Sequence, residues 1–264
     1  MKEPKVLIGC PVSDYHSYCT GEYLAAVKSL TYPNHDILLI DNSKEAEFFK
    51  FLKKQKGINV IRDQYHQNPR KRIVESRNIL RQHMLDNNYD YFLSLEQDII
   101  PPKDIIERVL SHSKDILTGV YCGNIKVENK IMILPLVYKF PPESRLNEAK
   151  QIIDDSNLKQ LKAETNSSYL DMVKAYYTIE EIEKEKSPTL VHSCGLGAVL
   201  ISRKVLEKIK FRFSEKYGGW DDVWFCEDAK KNNFEIYVDP KIKCRHLIKN
   251  RSWHWQDLLR ENEA

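Results

Sequence analysis

The sequence predicts an α/β fold in which a central sheet is flanked by helices. Short, almost wholly apolar runs alternate with longer segments whose apolar residues recur at helical spacing. These runs lack the polar–apolar alternation of a sheet with one wet face, so we expect both faces to be covered. The chain has 264 residues, of which 42% are hydrophobic and 30% charged, which suffices for one large domain over residues 1–264.

The first half of the chain alternates regularly between strands and helices. The predicted strands are KVLIGCPV, HDILLIDNS, INVIRD and the apolar part of YDYFLSLEQDIIPP. The predicted helices between them are GEYLAAVKSL, EAEFFKFLKKQ and KRIVESRNILRQHMLD. In the last of these, Ile73, Arg77 and Leu80 recur at turn spacing. This succession favours a parallel sheet.

The regular alternation ends after Gly119. ILTGVYCGN and IMILPLVYKF are predicted as strands with no helix between them. The segments that follow are LVHSCGLGAVLIS as one strand, RKVLEKI as a helix, GGWDDVWFCEDAKKNNFEIYVDP as a turn, helix and strand, and KIKCRHLIKN as the closing segment. We predict that residues 141–186, which are polar and charged with prolines at both ends, form a helical insertion or cap. Residues 248–264 are predicted to form a C-terminal tail.

The composition narrows the possible partners and location. A net charge of +3 and a pI near 8.4 suit an anionic substrate or a membrane surface but do not require nucleic acid, and no nucleic-acid-binding motif is present. The six cysteines form no CxxC pair, which argues against a zinc site, and most of them lie in or beside apolar segments, which suggests reduced thiols. Neither a signal peptide nor a membrane-spanning run is visible. We therefore expect a cytoplasmic protein, with peripheral membrane association left open.

Polar residues follow the apolar part of three predicted strands, at Pro11 to Asp14, Asp41-Asn42 and Glu96 to Asp98. In open α/β sheets, ligands bind beyond the carboxyl ends of the strands, so these residues are expected to share a site. Two carboxylates at a strand end can converge on Mg²⁺ or Mn²⁺, which prefer oxygen ligands. The alternative is a solvated turn in which the two following prolines begin a helix.

Six segments occur in the order typical of one family: VLIGCPV, LLIDNS, SRN, FLSLEQDIIPP, GLGAVLISRKVLEKI and WDDVWFCEDAKKNNFEIYVDPKIKCRH. In this order the chain resembles the GT-A glycosyltransferases, and family 2-like enzymes most. The resemblance covers residues 5–125 and 188–247, whereas residues 126–187 match only loosely. It implies a GT-A fold, which is the Rossmann-like mixed sheet of nucleotide-diphospho-sugar transferases.

The resemblance also implies a metal site and a site for the nucleotide sugar. Asp98 corresponds to the second acid of the DxD motif, and His246 to a histidine that often completes the metal site, which would hold Mn²⁺ or Mg²⁺. Glu96 corresponds to the first acid, where this chain has a longer side chain than the usual Asp. The residues expected to bind the nucleotide sugar are Pro11, Ser13, Asp41, Arg72, Arg77, Glu96 and Gln97. For Asp41 and Arg77, a turn aspartate and a surface helix residue are the alternatives.

The base that deprotonates the acceptor hydroxyl is expected at Asp222, which corresponds to the residue usually given this role in the family. Asp221 and Asp222 could instead cap a helix, because acidic residues suit helix N-termini. Gly195, Gly197, Trp220 and Asp221 are expected near the acceptor or the transferred sugar. Tight strand packing remains the alternative for the two glycines, and core burial for the tryptophan.

Together these features predict a metal-dependent glycosyltransferase. It would transfer a sugar, with inversion, from a nucleotide-sugar donor to a hydroxyl of a carbohydrate, lipid-linked or protein acceptor. One alternative is a sugar-nucleotidyltransferase, although GCPVSDYHSY lacks the glycine-rich, basic loop that such enzymes carry after the first strand. Another is a nucleotide- or glycan-binding module with a degenerate site.

Overall fold

The computed structural model describes residues 3–127, 130–144, 147, 175–215, 218–248 and 251–253. The strands β1 to β16, in chain order, are Val6–Val12, His35–Asp41, Asn59–Arg62, Tyr91–Leu95, Ile99–Ile100, Ile116–Val120, Cys122–Val127, Lys130–Pro135, Val137–Lys139, Ala175–Tyr176, Thr189–Val191, Ser193–Cys194, Ala198–Ser202, Ile236–Lys243, Arg245–Ile248 and Arg251–Trp253. The helices α1 to α7 are Ser17–Lys28, Glu47–Lys53, Pro69–Asp86, Ile105–Ser111, Ile179–Lys184, Arg203–Lys208 and Asp221–Lys231, and a 3-10 turn spans Asp14–His16.

The central sheet has eight strands in the order β11-β14-β6-β13-β4-β1-β2-β3. Strands β4, β1, β2 and β3 are parallel, as are β6 and β14. Strand β13 runs antiparallel to both of its neighbours, and β11 runs antiparallel to β14. The predicted α/β class with a mixed sheet is confirmed. The expectation of a parallel sheet holds for the first half of the chain and is corrected at β13.

Helices cover both faces of this sheet, as the continuous apolar strands predict. On one face, Leu80 and Met84 of α3 pack with Phe92 and with Phe225 of α7. On the other face, residues of α1, α2 and α4 pack against the opposite side chains of β1 and β2. Successive strand residues point to opposite faces, so each strand contributes to both cores.

The predicted single strand LVHSCGLGAVLIS is divided into three, β11, β12 and β13. Strand β11 stays in the central sheet, whereas β12 pairs with β9 in a small three-stranded sheet. Gly195 to Gly197 form the break before β13. Strands β11 and β13 both run opposite to β14 and β6, so the interruption carries the chain from the edge of the central sheet to the position beside β4 without reversing its direction.

Two predicted segments fall partly outside the described residues. Of the predicted insertion at 141–186, the described part contains β10 and α5, and residues 145–146 and 148–174 lie outside it. Of the predicted tail, residues 251–253 form β16, which pairs with β15, and residues 254–264 lie outside. No helix within the described ranges is both long enough and apolar enough to cross a membrane.

Candidate active site

A cavity of about 410 Å³ lies at the carboxyl ends of β1 and β4. The ends of these strands, the 3-10 turn and the first turns of α3 form its wall. This is the edge where open α/β sheets bind ligands, and the volume suits a small molecule. Eight of the predicted site residues line it: Pro11, Ser13, Arg72, Arg77, Glu96, Gln97, Asp98 and Trp220.

Asp98 and His246, the two predicted metal ligands, lie side by side. Ile99 pairs with His246 between β5 and β15, and the Leu247 N–H donates to the Asp98 carbonyl at 2.7 Å. Asp98 Oδ2 and His246 Nε2 are 3.2 Å apart, and His246 Nδ1 is 2.8 Å from the carbonyl oxygen of Cys122. Because a carbonyl oxygen only accepts, Nδ1 carries a hydrogen and Nε2 faces the carboxylate.

The pKa values of this pair follow from their surroundings. Burial raises the pKa of Asp98, but the hydrogen bond and charge of His246, together with His16, lower it below its usual range. Burial lowers the pKa of His246, and Asp98 more than offsets this, so that it lies above its ordinary value. The carboxylate and the imidazolium therefore stabilise one another, and a cation would compete with the ring proton.

The donor atoms of this pair suit a divalent cation. Two neighbouring ligands, each about 2.1 Å from an octahedral ion, lie about 3.0 Å apart, close to the separation of Asp98 Oδ2 and His246 Nε2. A ligating histidine commonly donates its other N–H to a backbone carbonyl, as His246 does to Cys122. Among the described residues, however, no three His, Cys, Asp or Glu side chains form a ready-made metal site. Oxygens of a substrate or water would complete the coordination.

Arg77 joins two of the predicted acids beneath the cavity. Its side chain is 1% exposed, and its guanidinium donates to Glu96 Oε1 at 2.6 Å and to Ser94 Oγ at 2.5 Å. Its Nε lies 2.5 Å from Asp221 Oδ2, in an ion pair whose angles are not those of a directed hydrogen bond. Burial lowers the pKa of Arg77, but the two carboxylates raise it above its ordinary value, so the charge is retained. The guanidinium of Arg77 therefore holds the two carboxylates of Glu96 and Asp221 in place.

Glu96 is the acid of this group that faces the cavity. Its side chain is 38% exposed and lines the cavity. Burial raises the pKa of Glu96 to about 7, against the opposing effect of Arg77 and with a further increase from Asp98. Asp98 and Glu96 therefore have different proton affinities although one residue separates them.

Gln97 lies between the two acids and holds the 3-10 turn. Its Oε1 accepts from the Ser13 N–H at 3.0 Å, and its Nε2 donates to Thr20 Oγ1 at 2.7 Å and to the His16 carbonyl at 3.3 Å. The side chain is 3% exposed, so its polar atoms are committed to the protein. Gln97 thus positions the end of β1 and has little surface for a substrate.

Asp41 is sealed behind the cavity. It has no exposed surface, Oδ2 accepts from Arg62 at 2.9 Å, and Oδ1 accepts from Ser43 Oγ at 2.5 Å. The neighbouring Asn42 lines the cavity. Both oxygens of the carboxylate that was predicted to bind the nucleotide therefore accept hydrogen bonds from other residues of the protein.

Gly195 and Gly197 adjoin a buried tyrosine. A Cβ at Gly195 would lie 2.3 Å from the Tyr121 hydroxyl oxygen, and one at Gly197 would lie 2.6 Å from it. The Gly197 N–H donates to that hydroxyl at 2.9 Å. The absence of a side chain at these glycines lets Tyr121 pack against them. This corresponds to the alternative of tight packing and not to contact with a substrate.

Of the remaining predicted residues, Trp220 and Arg72 line the cavity, and Asp222 lies two residues beyond Trp220 in α7. Asp222 is half-buried in the first turn of α7, where Oδ1 accepts from the Val223 N–H at 2.7 Å. Trp220 is 44% exposed, and its ring contacts the guanidinium of Arg70 at 5.3 Å. Arg72 packs 4.8 Å from the Tyr65 ring and donates to the His66 carbonyl. The exposed tryptophan therefore does not fit the alternative of core burial.

Comparisons with solved structures identify the fold. No sequence-family model and no curated protein matches the chain. GalNAc-T7 with UDP, GalNAc and Mn²⁺ superimposes with a TM-score of 0.59 and 11% identity, over 93% of this chain and 44% of that one. The mannosyltransferase PcManGT from Pyrobaculum calidifontis, in complex with GDP-Man and Mn²⁺, gives 0.53 and 10% over 92% and 56%. S. aureus TarS gives 0.52 and 14% over 91% and 36%. The chain has a glycosyltransferase-like GT-A fold.

This GT-A chain spans about half the length, or less, of those three proteins. At such low identity the likeness concerns the fold alone. The likeness confirms the predicted GT-A architecture. It does not assign a role to any residue of the site.

Two residues of the GT-A cavity region, His16 and Tyr121, were not predicted from sequence. His16 lines the cavity, and its Nε2 lies 3.8 Å from Asp98 Oδ2. Burial lowers the pKa of His16, although Asp98 raises it. Tyr121 lies beneath the glycines, and its ring is 5.7 Å from that of His246 in an edge-to-face contact. Of the pair Asp41-Asn42 that was expected at this edge, Asn42 lines the cavity and Asp41 does not. Of the two unpredicted residues, only His16 carried a signal in the sequence, because it follows the first strand in a polar segment.

Proposed function

We propose that the chain transfers a sugar from a nucleotide-sugar donor to an acceptor hydroxyl in a reaction assisted by a divalent cation. The observation that carries the proposal is the pairing of Asp98 with His246 at the edge of a cavity in a GT-A fold. The mannosyltransferase and GalNAc-T7 neighbours are recorded with Mn²⁺ and with GDP-Man or UDP, which makes nucleotide sugars the class to test.

Asp98 and His246 would hold the cation, Mn²⁺ or Mg²⁺. When bound, it would supply positive charge to the diphosphate that leaves with the nucleotide. Glu96, held by Arg77, would face the ribose or the cation. Ser13 and Arg72, which both line the cavity, would contact the nucleotide and its phosphates.

Asp222 would accept the proton of the acceptor hydroxyl as its oxygen attacks the anomeric carbon. The Arg77 contact fixes the neighbouring Asp221, so the first turn of α7 is held in place while Asp222 stays half-buried. Trp220, exposed at the mouth, would offer an apolar surface to a sugar ring. A single displacement with the base opposite the leaving group inverts the anomeric configuration.

The decisive experiment incubates the protein with Mn²⁺ or Mg²⁺ and a panel of UDP- and GDP-sugars, with candidate carbohydrate, lipid-linked and protein acceptors. We expect release of nucleoside diphosphate that depends on the cation and increases with the right acceptor. Release of pyrophosphate on incubation with a sugar phosphate and a nucleoside triphosphate would instead indicate a sugar-nucleotidyltransferase. Binding of the nucleotide sugar without turnover for any acceptor would indicate a binding module.

A further inference from the structure

His16 faces the cavity with no hydrogen bond from either ring nitrogen to another described residue. Its side chain is 33% exposed, and its Nε2 points toward Asp98 Oδ2 at 3.8 Å. His246 approaches the same oxygen at 3.2 Å, so two imidazoles flank one carboxylate oxygen. Ligands about 2.1 Å from one octahedral ion are separated by about 3.0 Å when adjacent and about 4.2 Å when opposite. The 3.2 Å separation is close to the value for adjacent ligands, and the 3.8 Å separation lies between the two values.

Hydrogen bonds link the three segments that carry these side chains. Gln97, directly before Asp98, donates to the His16 carbonyl. The Tyr18 hydroxyl, two residues beyond His16, donates to the Leu247 carbonyl at 2.7 Å. The His16 ring also packs against the Tyr15 and Tyr18 rings, at 5.0 and 5.9 Å. The position of His16 is thus tied to both proposed ligands.

We propose that His16 is a third protein ligand of the cation, which makes the site one of two histidines and one carboxylate. The inference rests on the proposed function for the cation itself and adds His16 and the choice of metal. The described residues contain no ready-made site of three ligands. The proposal therefore requires the His16 ring to move toward the ion when the ion binds. Two imidazoles favour first-row transition metals, so the site selects Mn²⁺ over Mg²⁺.

The first test measures Co²⁺ binding, with and without UDP or GDP, by the visible absorption of the bound ion and by calorimetry. We expect His16→Gln to weaken Co²⁺ affinity by at least about tenfold, by analogy with losses at supporting residues of metal sites. The matched control is His66→Gln, since His66 is also half-buried and pairs with Glu75 at 2.6 Å outside this cavity. This control should bind Co²⁺ as the unmodified protein does.

The second test uses a ratio of affinities, which a general loss of stability does not mimic. His16→Asp replaces an imidazole by a carboxylate, so the preference for Mn²⁺ over Mg²⁺ should decrease at least several-fold. Unchanged Co²⁺ affinity in His16→Gln and an unchanged metal ratio in His16→Asp, with losses in Asp98→Asn and His246→Gln, would overturn the inference and leave metal-dependent transfer intact. Absence of binding in the unmodified protein, or no loss in any variant, would overturn both.

Discussion

Replacing Arg77 by Met tests whether one buried cation holds the acids of the site together. The substitution removes charged contacts of 2.6 Å to Glu96 and 2.5 Å to Asp221, and leaves both carboxylates without their cation. Hydrogen bonds to charged groups contribute about 1.5–3 kcal/mol each, and breaking a buried pair costs about 3–5 kcal/mol. We expect a loss of about 3–5 kcal/mol, equivalent to a Tm decrease of about 6–20 °C.

The assay is urea and thermal unfolding at neutral pH, followed by circular dichroism. Arg108→Met is the matched control, because Arg108 is 39% exposed and lies 3.5 Å from Asp104. Exposed pairs contribute about 0–1 kcal/mol, so the control should change stability little. The double variant Arg77→Met/Asp221→Asn should recover part of the loss, since it removes one stranded charge. A loss at Arg77 no larger than that of the control, or no recovery in the double variant, would refute the reasoning.

The other predictions concern catalysis, metal and pH. Asp222→Asn should lower kcat by about 10²- to 10⁴-fold with little change in the Kd for the nucleotide sugar; a collapse of that affinity would place Asp222 in the nucleotide-sugar site or the fold. Asp98→Ala should abolish the Mn²⁺-dependent part of nucleoside diphosphate binding in calorimetry while the dichroism spectrum is retained, and undiminished binding would exclude the metal role. Burial, and then Lys230, lower the pKa of His192 from 6.5 to about 4. Between pH 6.5 and pH 4, His192 therefore binds more protons in the unfolded chain than in the folded protein. Its contribution to the free energy of unfolding is fully present above pH 6.5 and is lost as the pH falls toward 4. In His192→Gln this slope should disappear from pH-dependent denaturation, and an unchanged slope would contradict the assignment.

The α/β class and the edge that carries the site could be predicted because both depend on local patterns. A continuous apolar run such as VLIGCPV identifies a strand buried on both faces, and the polar residues that follow it lie at its carboxyl end. The direction of β13 could not be predicted in this way. It follows from pairing with Leu95 on one side and Thr118 on the other, which are remote in sequence.

The hydrogen-bond and ion-pair partners of the side chains in the site could not be predicted from sequence patterns either. Asp41, Arg77 and Gln97 stand at predicted positions, yet the polar atoms of each are largely committed to other polar groups of the protein. Burial makes an unpaired polar group costly, so these side chains turn to whichever partner the fold provides. Spacing along the chain does not reveal that partner. The role of Tyr121 beside Gly197 is equally invisible, because 76 residues separate them.

The placement of β13 has a consequence for how the chain reaches its native state. Ala198 pairs with Leu95, so the middle of the central sheet closes only after a long intervening segment has been made and brought back. Contacts of such large sequence separation slow folding, since the loop must close before the pairing stabilises it. A fragment that ends before Ala198 would leave β4 as an open, apolar edge, which is a template for association with other chains. Truncation within this region should therefore yield an aggregating product, whereas a nick in an exposed loop, with both pieces present, would preserve the pairing.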